Sequence, residues 1–283
     1  MEIKKVGVIG CGQMGGGIAQ TCAQNGFDVK VSEVNDAFLE KGLNAIKTNL
    51  TRLTEKGRMS KDEMDSVLSR IHGTIKISDF SDRDLVVEAI IENMEMKKKL
   101  FAELDKICPA HTILATNTSC LSIVDMAVVT KRADKVLGIH FFNPVTAMKL
   151  VEVVKTIATS PETLAEGKAF AEKCGKKAVV VQDSPGFIVN RLVIPFILNA
   201  IRMMDSGIAT KEDIDAGVNL GLNHPMGPLA LADLIGLDTV FFIANAIYSE
   251  TKDQQFAVPP LLSKMVTAGW LGKKTGKGFY DYK

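Results

Sequence analysis

The stretch Val6-Gly7-Val8-Ile9-Gly10-Cys11-Gly12-Gln13-Met14-Gly15 decides the fold. A short β-branched run enters a glycine turn, a helix-like segment (residues 14–25) leaves it, and a second β-branched run (residues 28–34) follows. Glu33 stands near the end of that second run, about 20 residues beyond the glycines, where a dinucleotide fold places its acidic residue. A lone G-x-G-x-x-G is weak evidence, but here it has the strand before it and the helix and strand after it that the motif requires. Gly10 permits the sharp turn, Gly12 lets the backbone approach a pyrophosphate, and Gly15 lets the helix pack close to the strand. The phosphates then meet the free N–H groups of a helix start. Residues Gly10, Cys11, Gly12, Gln13, Met14 and Gly15 are therefore the candidate cradle for a dinucleotide. A carboxylate at Glu33 can accept both hydroxyls of an adenosine ribose and repels a 2′-phosphate, which favours NAD over NADP. The alternative is a solvated strand end.

Outward from this turn, β-branched runs alternate with helical patterns. Strands are predicted at residues 85–90, 112–116, 135–140, 150–154 and 178–181, and helices at 35 to about 56, 94–107 and 162–174. This is the grammar of a parallel, doubly wound, Rossmann-like α/β sheet. Residues 35–70 are too long and too charged for one crossover and predict a helical pair projecting from the sheet. After Asp183-Ser184-Pro185-Gly186 the chain becomes helical patterns separated by Gly and Pro, without a strand signal. Two domains follow: 1–184, a Rossmann-like NAD-binding domain with the helical pair, and 185–283, a smaller all-α domain. The Gly-rich, basic tail at residues 272–280 reads by itself as a solvated loop.

Composition narrows the function. The 34 basic and 33 acidic residues nearly cancel, so no basic field exists for nucleic acid or an anionic membrane to exploit. Hydrophobic residues make up 46% and aromatics only 6%, which suits a compact α/β or α-rich globule. The N-terminal residues lack an apolar signal core and no apolar run of about 18 residues follows, so a cytoplasmic location is expected. Five scattered cysteines, odd in number and without C-x-x-C, predict reduced thiols, no disulfide framework and no structural metal.

The chemistry rests on one of four histidines. His72 and His111 lie in polar stretches, and His224 lies in the turn-like Asn223-His224-Pro225-Met226-Gly227-Pro228. His140 instead closes the apolar strand Val136-Leu137-Gly138-Ile139, at the carboxyl end where open α/β sheets bind ligands. Spacing alone leaves it either a satisfied core histidine or a base. Glu152 is a carboxylate inside the apolar run 150–154, and a buried carboxylate needs a partner, for which His140 on a neighbouring strand is the natural choice. Alcohol oxidation needs a base for the hydroxyl proton while hydride leaves for a nicotinamide, and an imidazole oriented by a carboxylate suits that task.

With these residues in place, the sequence resembles the 3-hydroxyacyl-CoA dehydrogenase family over essentially its whole length, the short bacterial 3-hydroxybutyryl-CoA dehydrogenases in particular. The motifs that carry the likeness are the glycine turn, Val86-Val87-Glu88-Ala89-Ile90-Ile91-Glu92, Asn117-Thr118-Ser119, His140-Phe141-Phe142-Asn143-Pro144, Asp183-Ser184-Pro185-Gly186-Phe187-Ile188-Val189-Asn190-Arg191 and Gly276-Lys277-Gly278-Phe279-Tyr280. The resemblance implies NAD as cofactor, an acyl-CoA substrate held between the two domains, and an all-α domain that forms a homodimer or higher homo-oligomer. It makes His140 the acid/base and Glu152 its orienting carboxylate, with Ser119 and Asn190 holding substrate oxygens. Taken alone, Ser119 reads as a helix N-cap. The likeness also implies that Glu92, Lys97, Ser119 and Asn143 meet the nicotinamide half of the cofactor and that Lys274 lies in a tail folded towards it. Without it, Lys97 is one of three lysines on a solvated helix face. Asn49 and Lys56 match coenzyme A contacts, and Lys56 with Arg52 can meet phosphates. Asn49 and Cys120 each replace a serine common in the family.

Two other readings compete. A β-hydroxyacid dehydrogenase with a lysine base would share the glycine turn and helical domain but accounts for neither His140-Phe141-Phe142-Asn143-Pro144 nor Glu152. A non-catalytic, crystallin-like nucleotide binder would have no use for His140, Glu152, Ser119 and Asn190 together.

Overall fold

The computed structural model describes residues 2–282. They fall into two compact units that divide between Asp183 and Ser184. In the first unit the order is β1 (Lys5–Ile9), α1 (Gln13–Gln24), β2 (Asp28–Ser32), α2 (Asp36–Glu55), α3 (Lys61–Leu68), β3 (Ile71–Thr74), β4 (Leu85–Glu88), α4 (Met94–Ile107), β5 (Ile113–Thr116), α5 (Val124–Ala127), β6 (Val136–Phe141), β7 (Leu150–Lys155), α6 (Pro161–Lys173) and β8 (Lys177–Gln182). The eight strands form one sheet in the order β3-β2-β1-β4-β5-β6-β7-β8. The winding reverses between β1 and β4, which pair directly. A doubly wound sheet opens its ligand crevice outside the carboxyl ends of strands at such a point.

The sheet departs from a wholly parallel one at a single place. Strands β1 to β6 run parallel, but β7 lies antiparallel to β6, with β8 parallel to β7. The connection at residues 142–149 is too short for a parallel crossover, which needs about a dozen residues or more, so the chain turns back on itself. The central strands read as continuous apolar runs because both faces are covered: Val6, Val8, Leu85 and Val87 are buried on one face, and Val86, Leu114 and Val136 on the other.

The helical pair at residues 35–70 also differs from expectation. It does not simply project; α2 and α3 form the crossover from β2 to β3, and Leu39, Ile46, Leu50 and Val67 belong to the core around the sheet. The amphipathic α2 buries the stripe Leu39, Ile46 and Leu50 and leaves its charged face in solvent. Strand β3 gave no signal in the sequence because it is a short edge strand with a mixed Ile71-His72-Gly73-Thr74 pattern, recognisable only from its pairing with β2.

The second unit contains α7 (Val189–Asp205), α8 (Lys211–Gly221), α9 (Pro228–Ile235), α10 (Leu237–Thr251) and α11 (Pro260–Thr267). Ile194, Ile197, Leu198, Leu229, Leu237, Val240, Ile247, Phe256 and Leu262 make its core. Its C-terminal tail is not a solvated loop. Asp233 of α9 accepts hydrogen bonds from the Phe279 and Tyr280 amides (both 2.9 Å) and the Tyr282 hydroxyl (3.1 Å), and Phe279 is buried. The Tyr280 hydroxyl donates to Asp215 at 2.9 Å, whose carboxylate also caps the Leu229 and Ala230 amides at the start of α9. Those buried carboxylates draw the tail in. Among the described residues no single helix is long and apolar enough to cross a membrane; α9 and α10 reach that length only as a pair bent by 95°.

Candidate active site

The cradle follows β1. Gly10 has a φ of +96°, and a Cβ there would stand 2.6 Å from the Ala89 carbonyl oxygen; a Cβ on Gly15 would stand 1.8 Å from the Gly10 carbonyl oxygen. The helix start is thus pressed onto its own loop, which only glycine at position 15 permits. At Gly12 no atom beyond its chain neighbours lies within 4 Å of the Cβ position and the residue is exposed, so a pyrophosphate has room to approach the backbone at the start of α1.

Glu33 stands one residue past β2. Its Oε1 accepts the Cys11 amide at 2.8 Å and its Oε2 the Val34 amide at 3.0 Å, which ties the carboxylate to the cradle. Burial, aided by the Glu33 charge, pushes the Cys11 thiol up to about 11, so at neutral pH it is an inert thiol. Gln13 donates to the Asn143 side-chain oxygen at 3.1 Å, which brings Asn143 to the mouth of the cradle. Glu33→Ala is expected to raise the KM for NADH and narrow the gap between NADH and NADPH; unchanged kinetics with both would remove Glu33 from cofactor selection.

Beside the cradle, at the ends of β4 and β5, charged groups are packed out of water. Lys97 is only 1% exposed, unlike its neighbours Lys98 and Lys99, because the first turn of α4 folds its side chain back to the sheet. Its Nζ donates to Glu88 Oε1 at 2.5 Å and lies 3.3 Å from Glu92 Oε2. The reading of Lys97 as part of a solvated face is corrected. Glu92 in turn accepts the Thr118 hydroxyl at 2.9 Å and the Ser119 amide at 2.8 Å. Glu88, wholly buried, was not singled out from the sequence, although a carboxylate ending a run of valines is the same signal that exposes Glu152.

His140 closes the arrangement. In the β6–β7 ladder it is the register partner of Glu152. Its Nδ1–H donates to Glu152 Oε2 at 2.7 Å, and its Nε2 lies 3.2 Å from Ser119 Oγ. That tautomer leaves the Nε2 lone pair available as a base, and an imidazolium formed there would face a carboxylate already in contact. The Asn117 side-chain oxygen accepts the Phe141 amide at 2.9 Å, and the Phe142 ring lies 4.6 Å from the imidazole, so the strand end is held from two sides.

The remaining candidates lie on other elements. Asn49 and Lys56 lie on the exposed side of the helical pair, and Arg52 is exposed with them. Asn190 is the second residue of α7, half-buried, in the second unit. Lys274, also in the second unit, places its ammonium 2.6 Å from the Asp238 carboxylate. His72 and His111 are exposed beside Asp28 and Asp84, and His224 meets the edge of Phe196. Cys120 is buried.

One unit therefore holds both a dinucleotide cradle and an oriented general base, the pair of requirements that defines a dinucleotide-dependent dehydrogenase. Family models divide the chain in two: the 3-hydroxyacyl-CoA dehydrogenase NAD binding domain matches residues 5–184, and the 3-hydroxyacyl-CoA dehydrogenase C-terminal domain matches residues 186–282. The chain belongs to the 3-hydroxyacyl-CoA dehydrogenase family. It is 51% identical over 283 residues to a probable 3-hydroxybutyryl-CoA dehydrogenase of Bacillus subtilis, covering 100% of this chain and 99% of that relative. It is 48% identical to the 3-hydroxybutyryl-CoA dehydrogenase of Clostridioides difficile, covering 98% and 99%. Among solved structures, M. tuberculosis FadB2 matches with a TM-score of 0.98 at 45% identity, and (S)-3-hydroxybutyryl-CoA dehydrogenase PaaH1 from Ralstonia eutropha with 0.96 at 42%, each covering 100% of both chains.

Proposed function

We propose that this chain interconverts (S)-3-hydroxybutyryl-CoA and acetoacetyl-CoA with NAD(H), using His140 as acid and base. The observation that carries the reading is the His140–Glu152–Ser119 cluster in a chain whose full-length relatives, at 48% and 51% identity, bear that name. NAD supplies the acceptor for the hydride that leaves C3. His140 Nε2 takes the hydroxyl proton in oxidation and returns it to the carbonyl oxygen in reduction, while Glu152 stabilises the imidazolium. Ser119 directs the substrate oxygen to Nε2, and Asn190 holds the substrate with it. Glu92, Lys97 and Asn143 serve the nicotinamide half of the cofactor, with Lys274 in support. Asn49 and Lys56 meet coenzyme A. The second unit leaves Leu192, Ile208, Leu220 and Leu222 more than half exposed, which supports self-association of the chain through that unit.

A steady-state comparison of acetoacetyl-CoA, longer 3-ketoacyl-CoAs and free 3-keto acids, with NADH and NADPH, tests the reading. The highest kcat/KM is expected with acetoacetyl-CoA and NADH, from a particle with the scattering mass of at least two chains. No NADH oxidation with acetoacetyl-CoA, or faster turnover of a free acid, would overturn the proposed reaction.

A further inference from the structure

The wholly buried carboxylate of Glu88 takes no part in the proton chemistry just described. It ends β4 and is the register partner of Thr116 at the end of β5. Three donors converge on it: the Ile90 amide at 2.7 Å and Lys97 Nζ at 2.5 Å on Oε1, and the Thr116 hydroxyl at 2.6 Å on Oε2. Thr116 Oγ1 also accepts the Thr118 amide at 3.1 Å, which links Glu88 to the turn that carries Ser119. A charge taken fully out of water persists only when it is paired and hydrogen-bonded. Glu88 is 0% exposed, so its work is done on its neighbours rather than on a ligand.

The neighbour that matters is Lys97. An ammonium carries three N–H donors; one goes to Glu88 and another is directed to Glu92 at 3.3 Å. We propose that Glu88 is a positioning residue for the cofactor site: it fixes the buried Lys97 ammonium, and through it the part-exposed Glu92 carboxylate 3.3 Å away, at the nicotinamide half of NAD(H), and it keeps Lys97 from collapsing onto Glu92. This rests on the reading above that Lys97 and Glu92 meet that half of the cofactor. Without the Glu88 charge, Lys97 settles wholly on Glu92 and pulls that carboxylate from its place at the cofactor. Cofactor affinity therefore depends on a residue that never touches the cofactor.

The test is a double-mutant cycle on NADH binding, followed by fluorescence in the absence of acyl substrate, with the full-length protein. Glu88→Gln keeps the shape and removes the charge; its NADH Kd is expected to rise about tenfold, the scale of a hydrogen bond to a charged group. The KM for acetoacetyl-CoA should stay within about twofold, since the effect acts through Lys97 alone. Lys97→Met should weaken NADH comparably, and the double variant should be no weaker than Lys97→Met. An unchanged NADH Kd in Glu88→Gln, additive losses in the double variant, or equal losses for NADH and acetoacetyl-CoA would overturn the proposal. If Glu88→Gln does not fold, Thr116→Val takes its place in the same cycle, with a smaller rise in Kd that must vanish in the Lys97→Met background. Wild-type protein that binds NADH yet fails to reduce acetoacetyl-CoA would sink the proposed reaction while leaving this cycle readable.

Discussion

His140→Gln is expected to lower kcat by about 10²–10⁴-fold, the usual contribution of a positioned acid/base, with NADH affinity close to wild type. Glutamine can reach neighbouring hydrogen-bond partners but cannot carry the hydroxyl proton away, so substrate and cofactor still bind while the proton has no acceptor. Single-turnover reduction of acetoacetyl-CoA, alongside NADH titration, separates the two steps. Wild-type turnover in this variant would remove His140 from the mechanism. A loss confined to KM would reduce it to a binding contact.

Glu152→Gln should be nearly as damaging, although it changes one atom of a residue buried behind the imidazole. The carboxylate accepts a hydrogen bond from Nδ1–H, with the two heavy atoms 2.7 Å apart, and so leaves Nε2 as the lone-pair nitrogen. A glutamine amide can instead donate to Nδ1, which moves the ring proton to Nε2 and presents a donor where the substrate hydroxyl needs an acceptor. The wrong tautomer of a catalytic histidine has cost about 10⁴-fold in the serine-protease triad, and a fall in kcat of about 10²–10⁴-fold is expected here. Glu152→Asp, which keeps the charge, should recover part of it. Equal activity of the Gln and Asp variants would show that the pair serves packing alone.

Much of this arrangement is legible in the sequence because it follows from local rules. A glycine turn between a β-branched run and a helix suits a bound phosphate and little else, and a carboxylate inside residues 150–154 has to find a cation or donor. Other features depend on contacts distant in the chain. Lys97 looks solvated beside Lys98 and Lys99 until the end of β4 is seen to lie beneath it. The tail looks like a loop because its attractors, Asp233 and Asp215, lie tens of residues earlier. Strand β3 is visible only through its pairing with β2. The antiparallel return of β7 was foreseeable from the brevity of residues 142–149, a length argument that the β-α alternation overshadowed.

That short return gives the chemistry a particular kind of independence. Because His140 and Glu152 face each other across one antiparallel rung, the backbone ladder itself sets their separation. The base and the carboxylate that orients it are therefore brought together by one fold-back of the chain, so their alignment survives changes elsewhere that leave this ladder intact.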